Sequence, residues 1–182
     1  MTVMQVDDRH IPPFILSIPI RKLFENPYRT LSPFVKKGMT VLDHGCGPGF
    51  YTIPLAYLVG EKGMVYAVDS DRKSIQALED KLKKKGIKNV ETFLSRDLSF
   101  IPSSSIDFLL SKDVLCCTVL HKELAKEIER VLKPGGRALV TIRRFRGKDP
   151  RSISAEEFFS LFEYIEKRGV SIFSAWVVLN KR

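Results

Sequence analysis

Val41-Leu42-Asp43-His44-Gly45-Cys46-Gly47-Pro48-Gly49-Phe50 is a short apolar run ending in an acid, followed by three glycines spaced two apart. Val41 and Leu42, approached through Gly38-Met39-Thr40, read as a strand, and Ile53 to Val59 reads as a helix stopped at Gly60. Strand, glycine turn and helix in that order let the backbone approach a ligand, because glycine has no Cβ and tolerates positive φ. The first turn of the helix then offers N–H groups that have no partner within the helix. With Gly45 and Gly47 in place, the dinucleotide pattern Gly-x-Gly-x-x-Gly needs its third glycine where Phe50 stands, so that pattern is not met.

Beyond this unit the chain alternates strand and helix patterns. Met64 to Asp69 reads as a second strand ending in an acid 20 residues after Gly49, placed where a carboxylate can accept from both hydroxyls of a ribose. Ser70 or Asp71 caps a helix with Ile75, Leu78 and Leu82 on one face and Gly86 as its stop. Val90 to Leu94 is a third strand, followed by Ser95-Arg96-Asp97-Leu98, and Ile106 to Leu110 is a fourth, opening into Ser111-Lys112-Asp113. His121 to Lys133 reads as a helix with Leu120, Leu124, Ile128 and Val131 or Leu132 toward the sheet. Leu132-Lys133-Pro134-Gly135-Gly136 then turns into the strand Arg137 to Ile142. Ser154-Ala155-Glu156-Glu157 is a capping box that predicts a helix with Phe158, Leu161, Phe162 and Ile165 inward and Gly169 as its stop. Short strands at Val170–Phe173 and Trp176–Asn180 close the chain.

Four stretches in this order, Asp43-x-Gly45-x-Gly47-x-Gly49, Asp69, Asp97-Leu98 and the Leu-Lys-Pro-Gly-Gly turn, resemble the motifs of class I S-adenosylmethionine-dependent methyltransferases. The resemblance covers about Pro33 to Lys181. It implies an α/β fold, a doubly wound, mostly parallel, Rossmann-like seven-stranded sheet in the order 3-2-1-4-5-7-6, with helices on both faces; the residues left after Gly169 leave room only for an abbreviated C-terminal edge. It also implies S-adenosylmethionine as cofactor, held by Asp43, Gly45, Gly47 and Gly49 at the turn and by Asp69 and Ser70 at the ribose. Asp97 falls where the family bonds the adenine amino group, Leu98 where it offers a backbone N–H to the ring, and Ser111 where it meets the methionine end. The Asn/Asp-Pro-Pro-Tyr signature of DNA amino-methyltransferases is missing at Ser111-Lys112-Asp113, which argues against that reaction.

Methyl transfer from a sulfonium needs alignment more than a dedicated base, and no residue is singled out as catalytic. Without a large insertion between strands, the expected acceptor is a small molecule. An RNA base or ribose is the alternative, and a binding or scaffold protein without turnover is the reading from another class. The 182 residues are expected to form one domain, with 1–31 a segment covering the cofactor and 32–182 the core. Within the first segment, Ile15 to Phe24 carries the pattern of a short helix; Tyr28 and Arg29, ahead of a helix predicted at Leu31–Lys37, are candidates for the cofactor's carboxylate. No apolar run has the length of a membrane span and no signal architecture is visible, so a cytoplasmic chain with no membrane partner is expected; the oligomeric state is left open.

Cys46, Cys116 and Cys117 show neither a metal-ligand nor a disulfide spacing, and His121 at a helix start reads as solvated. The net charge of +9 favours an anionic partner. Part of it solvates the end of a helix at Lys81 to Lys88, but Arg143-Arg144-Phe145-Arg146-Gly147-Lys148-Asp149-Pro150-Arg151 leaves the fifth strand at the end of the sheet where an acceptor must arrive. That loop is placed to steer an anionic small acceptor or to grip a phosphate backbone.

Overall fold

The computed structural model describes residues 25–144 and 149–182. The predicted Ile15–Phe24 helix, most of the covering segment, and Phe145, Arg146 and Lys148 of the basic loop lie outside them. The described elements are α1 (Pro27–Leu31), β1 (Thr40–His44), α2 (Thr52–Val59), β2 (Met64–Asp69), α3 (Arg72–Lys85), β3 (Val90–Leu94), β4 (Ile106–Lys112), a 3-10 turn at Leu115–Cys117, α4 (His121–Val131), β5 (Leu132–Arg143), α5 (Ala155–Ser160), β6 (Ile165–Val170) and β7 (Ser174–Asn180). The sheet has seven strands in the order β3-β2-β1-β4-β5-β7-β6, with β7 antiparallel to both neighbours.

Alternation along the strands divides the core. Val41, Val65, Phe108 and Leu110 pack with Leu31, Leu55 and Val59 on one face, while Leu42, Val68 and Leu109 pack with Ile128, Val131 and Phe158 on the other. The C-terminal ends of β1, β2 and β4 therefore open side by side, and the site lies there.

Several boundaries differ from the sequence reading. The helix expected at 31–37 lies earlier, as α1, because Pro27 pre-sets the first helical φ and the Asn26 side chain accepts from Arg29 N at 3.2 Å. Leu120 is not on the buried face of α4 but 48% exposed. The helix expected to run from Ser154 to Gly169 stops at Ser160, although its capping box forms as read. Ile165 to Val170 instead pair with β7, covering what would otherwise be its open edge. Gly169 is needed there not as a helix stop but because the indole of Trp176 lies where a Cβ would be, at 2.6 Å. Nor is the C-terminal edge abbreviated, for β7 pairs with β5 over seven positions from Ser174 to Asn180.

The Leu-Lys-Pro-Gly-Gly turn lies within β5. Its pairing with β4 jumps from Ile106↔Leu132 to Phe108↔Arg137, so residues 133–136 bulge out. A Cβ on Gly136 would sit 2.8 Å from the Lys133 carbonyl oxygen and 2.9 Å from that of Ile106, both backbone atoms that cannot rotate away. Gly135, at φ +77°, donates its N–H to the Lys181 carbonyl at 2.7 Å. The Lys181 ammonium in turn donates to the carbonyls of Glu129 and Leu132, each at 2.8 Å, closing the C-terminal end of α4. This motif is a structural device far from the open strand ends.

Candidate functional site

A cavity of about 160 Å³ opens at the C-terminal ends of β1, β2 and β4. Its floor is the glycine turn after β1. Asp43 is 3% exposed and accepts from the Thr52 hydroxyl at 2.6 Å, which fastens the strand end to the first residue of α2. Gly45 and Cys46 both donate to the Val68 carbonyl, at 2.8 and 3.0 Å, drawing the turn against β2. Gly47, at φ +52°, donates its N–H to Asp69 Oδ2 at 2.7 Å, and Asp71 N–H donates to Asp69 Oδ1 at 2.8 Å. Two backbone donors thus fix the Asp69 carboxylate at the rim, and a carboxylate oxygen can accept more than one bond.

The three glycines have different tasks. A Cβ on Gly49 would meet Leu78 Cδ1 at 2.5 Å beneath the turn, and one on Gly45 would collide with Val114. Gly47 lines the cavity and holds Asp69. Of the residues expected to hold the cofactor, Asp43, Gly45, Gly47, Asp69 and Ser70 line this cavity together, whereas Gly49, Asp97, Leu98 and Ser111 do not. Leu98 is fully buried in the core. Asp97 turns its carboxylate to Ser99, accepting from N–H at 2.9 Å and hydroxyl at 2.7 Å, and these bonds hold its pKa below the ordinary aspartate value. Ser95 and Arg96 supply the wall on that side. Tyr28 and Arg29 are exposed on α1, away from the lining.

Ser111 lies behind the cavity wall, fully buried, 3.1 Å from His44 Nδ1 across the β1–β4 pairing. Burial lowers the His44 pKa to about 4, so the imidazole is neutral at pH 7. A histidine whose folded pKa lies below its ordinary 6.5 keeps its contribution above pH 6.5 and loses it as pH falls toward 4, because the unfolded chain takes the proton first. The loss should reach about 3 kcal/mol near pH 4. Denaturation of wild type and His44→Gln at pH 7 and pH 4.5 should show a smaller acid loss in the variant; equal losses would contradict this.

The remaining wall forms at the Ser111-Lys112-Asp113 opening at the end of β4, whose backbone shape was not legible in the sequence. Asp113 follows β4 with φ +61°, a left-handed conformation costly for a non-glycine residue. It is held by its N–H on the Thr141 carbonyl at 2.9 Å, by the Thr141 hydroxyl at 2.9 Å and by Arg143 Nε at 3.0 Å. That turn sets Val114 against Gly45 and brings Lys112, Asp113 and Arg143 into the cavity. Arg143 is the first cation of the basic run expected to meet an anionic acceptor. On the neighbouring side the Tyr51 hydroxyl donates to Glu25, whose carboxylate also pairs with Lys112 at 2.9 Å.

Cys46 and Cys116 are buried and their thiols are pushed up, Cys46 by burial and by the nearby Asp43 and Asp69 carboxylates, Cys116 by its hydrogen bond with Cys117 and by burial. His121 is partly buried, 3.3 Å from the Arg151 carbonyl through Nε2.

Residues 35–167 match the family model of a methyltransferase domain. A demethylmenaquinone methyltransferase from Anoxybacillus flavithermus is 30% identical over 133 residues, 72% of this chain and 54% of that one. Another from Lactococcus lactis is 36% identical over 104 residues, 56% of this chain and 41% of that one. The chain therefore spans about half the length of the curated relatives it matches. The crystal structure of a SAM dependent methyltransferase from Aquifex aeolicus superposes with a TM-score of 0.80 at 28% identity, covering 95% of this chain and all of that one.

Proposed function

Because this chain belongs to the methyltransferase-domain family, and is of the class I S-adenosylmethionine-dependent kind by its motifs, sheet order and relatives, we propose that it methylates a small molecule with an apolar, ring-bearing body. When bound, the cofactor would supply a methyl group already activated by its sulfonium, for transfer to an acceptor nucleophile that gives up its proton. The chain's own contribution is to place and enclose. Asp69, held by Gly47 and Asp71, supports a ribose, and the turn gives a backbone floor without side chains.

One observation carries the acceptor class. A second depression shares Lys112, Asp113 and Arg143 with the first cavity and continues over Leu139, Phe173 and Trp176, with Arg144 at its edge. Glu25 also lines it, pairing with Lys112 as Asp113 does with Arg143. Apolar side chains beside these ion pairs and the Arg144 guanidinium suit a ring whose nucleophile carries or develops negative charge, as a hydroxylated quinone-type ring does. The relatives named for demethylmenaquinone point to the same class.

The test is transfer of labelled methyl groups from S-adenosylmethionine into cell extract separated into solvent-extractable small molecules, RNA and protein. Label in the solvent-extractable fraction is expected. Label in RNA would overturn the acceptor class, and cofactor binding with no label in any fraction would favour a protein without turnover.

A further inference from the structure

The β6–β7 hairpin carries an exposed apolar tip that the core does not require. Val170 is 51% exposed, Ile172 72% and Phe173 77%, with Trp176 36% exposed beside them. The turn is closed by hydrogen bonds: Ser171 N–H donates to the Ser174 carbonyl at 2.7 Å, and the two hydroxyls lie 2.9 Å apart. Arg144, just past β5, is tied into this tip, donating its N–H to the Phe173 carbonyl and Nη1 to the Ser171 carbonyl, each at 2.9 Å. The nearby carboxylates are engaged by other cations, Asp113 by Arg143, Glu25 by Lys112 and Asp149 by Arg151.

From this juxtaposition we infer that the hairpin tip seats on an anionic lipid bilayer, Ile172 and Phe173 entering the interfacial layer and Arg144 meeting the headgroup phosphates. Exposed apolar side chains beside a guanidinium combine the two contributions that bind a bilayer surface, burial of apolar area and attraction to anionic headgroups. A stable protein partner would need roughly 800 Å² of complementary surface, more than a convex four-residue turn presents. A single-stranded RNA would need a stacking platform, which Ile172 does not provide. Phe173, Trp176 and Arg144 also line the second depression, so a seated tip would turn that mouth toward the lipid. Among the described residues no helix is long and apolar enough to cross a membrane, and the expectation of no membrane partner came from that spanning criterion, which does not see a docking tip. The inference stands on the hairpin and does not depend on the acceptor.

Trp176, the chain's one tryptophan, reports directly on the tip. With vesicles of phosphatidylglycerol and phosphatidylcholine, its emission should shift to the blue and the protein should sediment with the lipid, less so as salt is raised. Ile172→Asp should weaken this binding about tenfold or more, since a charge replaces an inserted apolar group, while S-adenosylhomocysteine affinity in solution stays as in wild type. Arg144→Ser should narrow the preference for anionic over pure phosphatidylcholine vesicles. No co-sedimentation, unchanged binding by Ile172→Asp, or tighter binding of poly(uridylate) than of anionic vesicles would overturn the inference.

Discussion

Asp69→Ala is expected to weaken the binding of S-adenosylmethionine and of its demethylated product by about 1 to 3 kcal/mol, a five- to 150-fold loss, because a charged acceptor disappears from a partly desolvated rim. The loss should lie toward the upper end. The same carboxylate holds Gly47 N–H at 2.7 Å and Asp71 N–H at 2.8 Å, so removing it loosens the turn as well as the ribose contact. Asp69→Asn retains one acceptor oxygen and should lose less. Gly47→Val should abolish binding outright, since a β-branched side chain must adopt φ near +52° and its methyl groups would fill the cavity floor. Calorimetric titration of these variants, with thermal melting as the control for folding, checks both; unchanged affinity in Asp69→Ala would remove Asp69 from the site.

Phe108→Ala should destabilise the fold by about 3 to 5 kcal/mol without altering cofactor affinity of the molecules that remain folded. Phe108 is fully buried at the centre of β4, the strand between β1 and β5, and stacks on Phe34 with ring centroids 5.3 Å apart and planes 11° from parallel. Its side chain is not part of the cavity lining, so stability and binding should separate. Urea denaturation that shows a loss below about 1 kcal/mol would mean the neighbours close over the missing ring, contrary to a tightly packed β4 centre.

Particular residues show what could be read from the chain and what could not. The glycine turn after β1, the helix stops at Gly60 and Gly86 and the Asp71 cap were legible because each records a backbone demand in the residue itself. The first strand of the closing hairpin was not, although the second and the sheet order were. Phe158, Leu161, Phe162 and Ile165 satisfy a helical spacing, and only the availability of β7 as a partner decides that Ile165 belongs to a strand. Spacing singled out Gly47 and Asp69, and both line the cavity, whereas Asp113 was marked only as part of the opening at the end of β4, because its left-handed turn depends on Thr141 and Arg143, 28 and 30 residues away. Asp97 and Leu98, beyond the third strand, do not line the cavity: the Asp97 carboxylate accepts from Ser99, and Leu98, expected to act through its backbone N–H, packs in the core.

The most direct test of the account is a crystal structure of the chain with S-adenosylhomocysteine. It should place the ribose hydroxyls on the Asp69 carboxylate and the ligand's backbone contacts on the Gly45–Gly47 turn, with the sulfur facing Lys112, Asp113 and Arg143. Density for the ligand away from the ends of β1, β2 and β4, or a ribose that leaves Asp69 untouched, would contradict it.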